Sequence, residues 1–345
     1  MSNELLYEIF EYVGIYDAYE AFSNLNTRCQ DLIMYSSFPL RINLSFTCKS
    51  IFQYRCKHIV RPNIHRIVSL RLSHYLSNNL FFTLFTFDSS FIRLESLILD
   101  NFKIDKVVEV LTCLALLPRL FSLSHSLSDY GEPVEDAGHF YRLIFRLPVL
   151  KYGKFSLGTC GTPPDLSITD NKQQEYSPIE HLIIDGYCRI HELSAILSYT
   201  PGLRYFSCKY LSSFESTQIE VSTIPLYLTH LSIEHCLLSF DEFELFVVKI
   251  CSHLKLLRIS TRLDIAYLNA SRWQRLISCH MYHLSIFDFQ HLMRIENVEN
   301  IQVYHAMINQ FVSSFRIERQ WFFAHQHCSQ YGRMKFYSTQ PYRCR

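Results

Sequence analysis

The sequence predicts an α/β protein in which an N-terminal module of three helices is followed by an irregular solenoid. Parallel strands would form the concave face and helices the convex face. Three observations lead to this prediction. Apolar residues near the amino end follow helical spacing, a short apolar motif recurs from Ile67 onward, and helix-like runs separate its copies. A repeat of this size cannot bury its own apolar face, so stacked repeats are expected to share one core.

The composition favours a folded protein, since 48% of the 345 residues are apolar and 19% are charged. The net charge of +1 argues against nucleic acid or an acidic membrane as the main partner. No uncharged apolar run reaches the roughly 18 residues of a membrane span. Glu4 and Glu8 stand where a signal peptide would need a cationic start and an apolar run. The 12 cysteines include no Cys-x-x-Cys pair, so we expect reduced thiols and a cytoplasmic or nuclear location.

The first 35 residues predict three short amphipathic helices. The apolar face of the first helix comprises Leu5, Leu6, Ile9, Phe10 and Val13. Gly14 stands where that helix should end. Asp17 followed by Glu20, and Thr27 followed by Gln30, resemble the capping boxes that start helices. Three helices this short leave apolar surface uncovered, which indicates a docking face.

Residues 3–12, NELLYEIFEY, and residues 17–28, DAYEAFSNLNTR, resemble the F-box family. The family pattern runs Leu-Pro-x-Glu-(Ile/Leu)-Leu, then Ile-Phe-x-Tyr-Leu, then Asp and a helix ending near Asn-x-Arg. Its leading Leu-Pro falls on Met1 and Ser2. The resemblance implies that residues 1–45 bind a Skp-type adaptor and, through it, a cullin–RING ubiquitin ligase. The residues implied to face the adaptor or to form the module core are Leu5, Leu6, Ile9, Phe10, Phe22 and Leu25.

The repeated motif has the form apolar-x-x-apolar-x-apolar. Clear copies begin at Ile67, Leu94, Ile179, Leu228, Leu254 and Met281, and weaker copies begin at Leu117, Leu147 and Thr200. Their central residues are 21 to 32 residues apart. The copy from Leu228 to Leu238 matches the leucine-rich-repeat template, with Cys236 at the ladder position. Residues 66–299 therefore resemble an irregular leucine-rich-repeat solenoid.

The positions between the apolar strand residues point away from the core and would line the concave face. The candidate residues for binding a protein substrate there are Arg71, Glu95, His181, Ser232, Glu234 and Arg258. A mixed polar surface of this kind suits protein recognition. The identity of the substrate does not follow from these residues.

The remaining segments divide into connections and ends. Residues 46–65 are predicted to be a linker or an N-terminal cap, and 125–139 and 158–178 to be long polar loops. Residues 300–345 break the repeat and are predicted to form a C-terminal cap with a basic tail.

We expect no enzyme, cofactor or metal site. His325, His327 and Cys328 do not have the spacing of a zinc finger, and the repeat spacing of Cys208 and Cys236 is typical of core positions. The tail interleaves basic and aromatic residues, but Trp321-Phe322-Phe323 is typical of a buried cluster, so nucleic acid is an unlikely partner.

The sequence leaves two main functional hypotheses. In the first, the chain is a substrate-recognition adaptor of a Skp–cullin–F-box type ubiquitin ligase. In the second, it is a leucine-rich-repeat protein-binding scaffold without a link to ubiquitin ligase, and the helices only cap the repeats. An enzyme on a repeat scaffold would need a convergent polar cluster, and the sequence offers none.

Overall fold

The computed structural model describes residues 2–23, 25–34, 38–45, 48–73, 75–126, 137–156, 176–213, 227–262, 264–294, 298–311, 319–328 and 332–339. The chain divides into two compact units. The first unit comprises Met1–Val134 and His139–Gly158, and the second comprises Glu135–Gly138 and Thr159–Arg345.

The first unit opens with the three predicted helices, α1 (Asn3–Val13), α2 (Ile15–Phe22) and α3 (Thr27–Met34). Gly14 ends α1 as predicted, and its φ of 88° turns the chain directly into α2. Both capping predictions were wrong. The second helix begins at Ile15, before Asp17, and the side chain of Asn26 accepts the N–H of Cys29 at 2.8 Å to start α3. Asparagine is the stronger N-cap of the two, but the spacing of Thr27 and Gln30 also matched a capping box and pointed one residue too far along the chain.

Five strands follow in the first unit: β1 (Leu40–Asn43), β2 (Ile67–Ser73), β3 (Ser96–Asp100), β4 (Ser122–Ser126) and β5 (Tyr152–Phe155). Each strand pairs in parallel with the next one along the chain. The connecting helices are α4 (Lys49–Arg55), α5 (Tyr75–Leu84), α6 (Ile104–Leu114) and α7 (Ala137–Phe145). Residues 46–65, predicted to be a linker or cap, contain α4, a π-helical turn at Cys56–Val60 and the start of a 3-10 helix at Arg61–Arg66.

The second unit repeats this arrangement with β6 (His181–Arg189), β7 (Tyr205–Ser212), β8 (His230–Cys236), β9 (Leu256–Thr261) and β10 (Ile286–Arg294), again paired in parallel. Its helices are α8 (Ile190–Tyr199), α9 (Phe240–Ile250), α10 (Ala270–His280) and α11 (Val298–Asn309). A short 3-10 helix spans Ile265–Leu268.

The sheet of the second unit ends in a change of strand direction. Strand β12 (Arg333–Ser338) pairs antiparallel with β10, and β11 (Phe323–Cys328) pairs antiparallel with β12. Residues 300–345, predicted to be a cap, thus supply a hairpin to this sheet. Of the predicted basic tail, Arg333 and Lys335 lie on β12, whereas Arg343 and Arg345 fall outside the described residues. The predicted loops at 125–139 and 158–178 also lie largely outside the described residues.

The strand register corrects the position of four repeats. Leu97 pairs with Leu123, Leu123 with Gly153, Leu182 with Phe206, and Leu257 with Phe287. The copies predicted to begin at Leu117, Leu147, Thr200 and Met281 therefore each begin three residues later. The residue three positions before each true start is itself buried, namely Leu117, Leu147, Thr200 and Met281. The repeat motif could therefore be aligned with the sequence in either of two registers. Strand β1, which pairs Ile42 with Leu70, was not predicted.

The core lies between the strands and the helices of each unit. Side chains of the strands alternate, as in the i-B-i-B-i burial of β3 and β4. In the second unit, the buried Trp273 of α10 packs against Phe287 and Phe289 of β10, with ring centroids 4.8 and 5.4 Å apart. Its indole N–H donates to the carbonyl oxygen of Tyr267 at 2.7 Å, so the one polar atom of this large side chain is satisfied.

The side chain of Arg66 connects α3 to the rest of the first unit. It is 2% exposed and donates to the carbonyl oxygens of Ile33 at 2.7 Å and Phe38 at 3.2 Å. It also donates to the side-chain oxygen of Asn63 at 2.8 Å. Burial lowers the pKa of this guanidinium. Its Nε and Nη1 groups nevertheless donate to the oxygen atoms named above, on α3, on the segment after it and on the 3-10 helix, which offsets the cost of burying the charge.

His291 forms a second buried connection, in the second unit. Its Nδ1 lies 2.7 Å from the hydroxyl of Thr261 on β9, and its Nε2 lies 3.0 Å from the hydroxyl of Tyr304 on α11. Burial lowers the pKa of His291 to about 4, although the negative charge of Asp264 opposes this shift. The folded protein therefore holds this imidazole neutral where an exposed histidine would take up a proton.

The first prediction concerns Gly14. Replacing Gly14 with alanine places a side chain at φ 88°, ψ 153°, and we expect a loss of about 1–3 kcal/mol in the free energy of unfolding of the first unit. Gly202→Ala is the matched control, because a Cβ atom there also meets nothing within 4 Å but φ is not positive. Urea unfolding of both variants tests the prediction, and equal stabilities would contradict it.

The second prediction concerns pH. Unfolded His291 gains a proton near pH 6.5 and the folded residue only near pH 4, so the second unit should lose stability as pH falls between these values. The slope contributed by one proton is about 1.4 kcal/mol per pH unit. His291→Asn keeps a polar group near Thr261 and cannot be protonated, so urea unfolding across this range should show a shallower slope. An unchanged slope would show that other groups cause the loss.

Candidate functional site

The predicted adaptor-binding residues separate into buried and exposed groups. Leu6 and Phe10 are each 4% exposed and pack with Ala18 and Ile33 in the core of the three-helix module. Ile9 and Phe22 are half-buried against this core, and the Phe10 and Phe22 rings lie 5.4 Å apart. These four predicted residues therefore contribute to holding the helices together.

The other two predicted residues face solvent. Leu5 is 51% exposed on α1, and Leu25 is 63% exposed just before α3. Tyr12, which the sequence analysis did not select, is 94% exposed and stands seven residues after Leu5 on the same face of α1. The helical periodicity could have indicated this position. Together with Val13, which is 40% exposed, these three residues give the module an exposed apolar surface of the kind that docks on a partner.

The predicted substrate-binding residues divide between the two units. Arg71 and Glu95 belong to the first unit, where Arg71 is exposed on β2 and Glu95 lies one residue before β3. His181, Ser232, Glu234 and Arg258 belong to the second unit, on the strand face opposite the helices. We call this surface of β6–β10 the outward face.

Pairing aligns the residues of the outward face in rows that cross the strands. One row contains Ile183, Ser207, Ser232, Arg258 and Asp288. Ser232 is only 6% exposed, because its neighbours in the row cover it, whereas Glu234 is exposed. Ser232 is thus a poor contact for a partner, and Glu234 is accessible.

Two aromatic stacks flank this row and were missed by the sequence analysis. The rings of His181 and Tyr205 are 4.1 Å apart, and Tyr205 is 6.0 Å from His230. At the other end of the strands, Tyr210 lies 4.4 Å from Tyr187 and 4.8 Å from His235. Aromatic rings with polar ends are common at protein interfaces, since they supply contact area and hydrogen bonds together.

The histidines of the first stack are held neutral. Burial lowers the pKa of His181, and the neighbouring His230 lowers it further. Burial also lowers the pKa of His230, and the positive charge of Lys255 acts in the same direction. The first stack therefore presents uncharged rings at neutral pH.

The two predicted arginines are bound by ion pairs that resemble each other. Arg258 on β9 donates to Asp288 on β10 at 2.8 Å, and Asp288 also accepts the hydroxyl of Ser338 on β12 at 2.8 Å. In the first unit, Asp100 accepts from Arg71 at 2.8 Å and from Ser126 at 3.1 Å. The pairs differ in burial, since the Asp288 side chain is 3% exposed and that of Asp100 is 19% exposed.

The described histidines and cysteines bear on metal binding and on thiol reactivity. No group of three His, Cys, Asp or Glu side chains among them is placed to hold a metal ion. Burial raises the pKa of the Cys188, Cys208 and Cys251 thiols, and that of Cys236 to about 11. These thiols are therefore protonated and enclosed. His325 and His327 are exposed on β11, and the side chain of Cys328 lies outside the described residues.

Two further findings concern membrane spans and similarity to known proteins. Within the described parts of the chain, no helix combines the length and the apolar character needed to cross a lipid bilayer. No protein-family model matches the sequence, and no curated protein is similar to it.

The third prediction uses the two arginine pairs. Arg258→Ala removes the charge that pairs with the buried Asp288 at 2.8 Å, and we expect a loss of about 1–3 kcal/mol in the free energy of unfolding. Arg71→Ala is the matched control, for which we expect about 1 kcal/mol or less because Asp100 remains hydrated. Urea unfolding measures both. Adding Asp288→Ala to Arg258→Ala should recover part of the loss, and equal losses in the two single variants would contradict the assignment.

Proposed function

We propose that the chain is a substrate-recognition adaptor of a Skp–cullin–F-box type ubiquitin ligase. In this proposal, α1–α3 form an F-box-like module that binds a Skp-type adaptor. The strand-and-helix repeats are leucine-rich repeats, and their outward-facing side chains bind a protein substrate. The observation that carries the proposal is a three-helix module with the F-box residue pattern that leaves Leu5, Tyr12 and Leu25 exposed.

The burial pattern supports separate roles for the apolar residues of the module. Leu6 and Phe10 are needed inside it, so exposed Leu5 and Leu25 are the ones free to contact an adaptor. Leu5 and Leu25 are 51% and 63% exposed, so removing the rest of each side chain from water contributes about half of the roughly 1.5–3 kcal/mol of a fully exposed leucine. Two or three of them can therefore contribute much of a specific, reversible association.

The outward face of the second unit supports a role in protein binding. It combines the stacked rings of Tyr187, Tyr210 and His235 with the exposed carboxylate of Glu234. The charges of Asp185 and Lys209 lie 3.7 Å apart on the same face. These opposite charges partly cancel, so a partner at this point of the face would meet little net charge.

The chain itself would perform no covalent chemistry. Its contribution to ubiquitin transfer would be to hold substrate lysines near a charged conjugating enzyme, which raises their effective concentration.

The alternative function is a protein-binding scaffold in which α1–α3 only cap the repeats. Two observations favour it. The helices are tied into the first unit by Arg66 and by Arg55, whose guanidinium lies 3.9 Å above the ring of Tyr16. In addition, the family's leading Leu-Pro is replaced by Met1 and Ser2, and the hydroxyl of Ser2 accepts the N–H of Leu5 at 3.4 Å.

The fourth prediction is a pull-down of the purified chain with a Skp-type adaptor. We expect binding, and a loss of at least about tenfold in affinity for the double variant Leu5→Glu/Leu25→Glu. Both positions are exposed, so the variant should fold like the unmodified chain. Phe10 is unsuitable for this test because a charge at that buried position would unfold the module.

The matched control is Leu245→Glu, at a leucine of α9 that is 60% exposed in the second unit. Its adaptor binding should equal that of the unmodified chain. No binding by the unmodified chain would reject the ligase proposal and leave the scaffold function. Equal losses in the control and the double variant would reject the assigned docking residues.

A further inference from the structure

A cavity of about 440 Å³ opens at the amino ends of β7–β9 in the second unit. Its lining residues are Arg204, Tyr227, Thr229, His253, Lys255 and His283. The lining contains two permanent cations, two imidazoles and no carboxylate. Its volume falls within the range of roughly 300–1,000 Å³ that is usual for ligand-binding pockets.

The repeat generates this cavity. Arg204, Thr229 and Lys255 each stand immediately before a strand, and backbone hydrogen bonds join them in a row. The N–H of Thr229 donates to the carbonyl oxygen of Arg204 at 2.9 Å, and the N–H of Lys255 to that of Thr229 at 2.8 Å. Tyr227 and His253 stand two residues before Thr229 and Lys255. Equivalent positions of successive repeats therefore place an aromatic row, Tyr227, His253 and His283, beside the row that carries Arg204 and Lys255.

Lys255 is the main source of positive charge in the cavity. It is exposed, and no carboxylate among the described residues lies within ion-pair distance of it. The charge of Arg204 is partly offset by Glu180, whose carboxylate lies 3.6 Å away. Lys255 also acts on His230, whose pKa it helps to lower, so its field reaches the outward face.

The aromatic row gives the cavity flat walls. The rings of His253 and His283 lie 6.1 Å apart and nearly parallel, at 15°. The helices α9 and α10 end at the same edge, and a helix end carries about half a negative charge. The C-cap carbonyl oxygens of Cys251 and Met281 are occupied, since they accept from Leu254 at 3.1 Å and from Leu284 at 2.9 Å.

We propose that this cavity binds carboxylate side chains of an acidic peptide segment, carried by the partner that occupies the outward face. Lys255 supplies the decisive charge and Arg204 a second donor, while the imidazoles and Tyr227 pack against the peptide. The proposal rests on the proposed role of the outward face in partner binding. The partner would carry acidic residues in the segment that crosses the amino ends of β7–β9.

The fifth prediction is a binding experiment with the full chain. The probe is a short fluorescein-labelled peptide of alternating glutamate and serine, compared with a peptide in which glutamine replaces glutamate. Fluorescence anisotropy should show binding of the glutamate peptide only, and the affinity should fall as salt is added. We expect Lys255→Gln to weaken binding up to about fivefold, because Lys255 is exposed and its contact with a carboxylate is screened by water.

The matched control is Lys249→Gln, which removes the same charge from the exposed surface of α9, outside the cavity. It should bind the glutamate peptide as the unmodified chain does. Equal binding of the two peptides, or unchanged binding by Lys255→Gln, would overturn the inference. The assay contains no adaptor, so its failure would leave the adaptor pull-down and the ligase proposal to be decided separately.

Discussion

The strands of both units must bury alternate side chains against helices, because no single strand-and-helix repeat can exclude water from its own apolar face. The inner row of the second unit consists of Leu182, Phe206, Leu231, Leu257 and Phe287, all at most 2% exposed. This row fixes the register, since a slip of one residue would turn it toward solvent. The stacking of Tyr187, Tyr210 and His235 on the outward face follows from that alignment.

The strand-and-helix order could be predicted because the apolar spacing survives in most repeats. Where a second apolar residue precedes the motif by three positions, as Leu117 precedes Leu120, the spacing alone cannot choose the register, and only strand pairing decides it. The helices of the module were predictable, but Asn26 and Thr27 are both good caps. The aromatic stacks and the cationic cavity were not predictable, because they depend on which residues of different strands come to stand side by side.

The two candidate binding surfaces differ in physical character. The module exposes aliphatic and aromatic side chains such as Leu5 and Tyr12, which gain from burial without requiring a particular charge on the partner. The outward face and its edge present rings with polar ends, together with the charge of Lys255. Such a surface discriminates between partners through hydrogen bonds and charge rather than through area. In the proposed function, the adaptor is the same for every substrate and needs only the apolar contacts of the module. The substrate must be selected among many proteins, which requires the hydrogen bonds and charges of the outward face.

The hairpin of β11 and β12 has a consequence for synthesis of the chain on the ribosome. Each parallel strand from β6 to β9 can pair with a strand made about one repeat later, but the outer edge of β10 is covered by β12, at Arg333–Ser338. Newly made β10 therefore keeps an open edge until translation has passed Ser338. Open strand edges attract other strands. Nascent chains halted between β10 and β12 should be the species most prone to aggregate or to recruit chaperones.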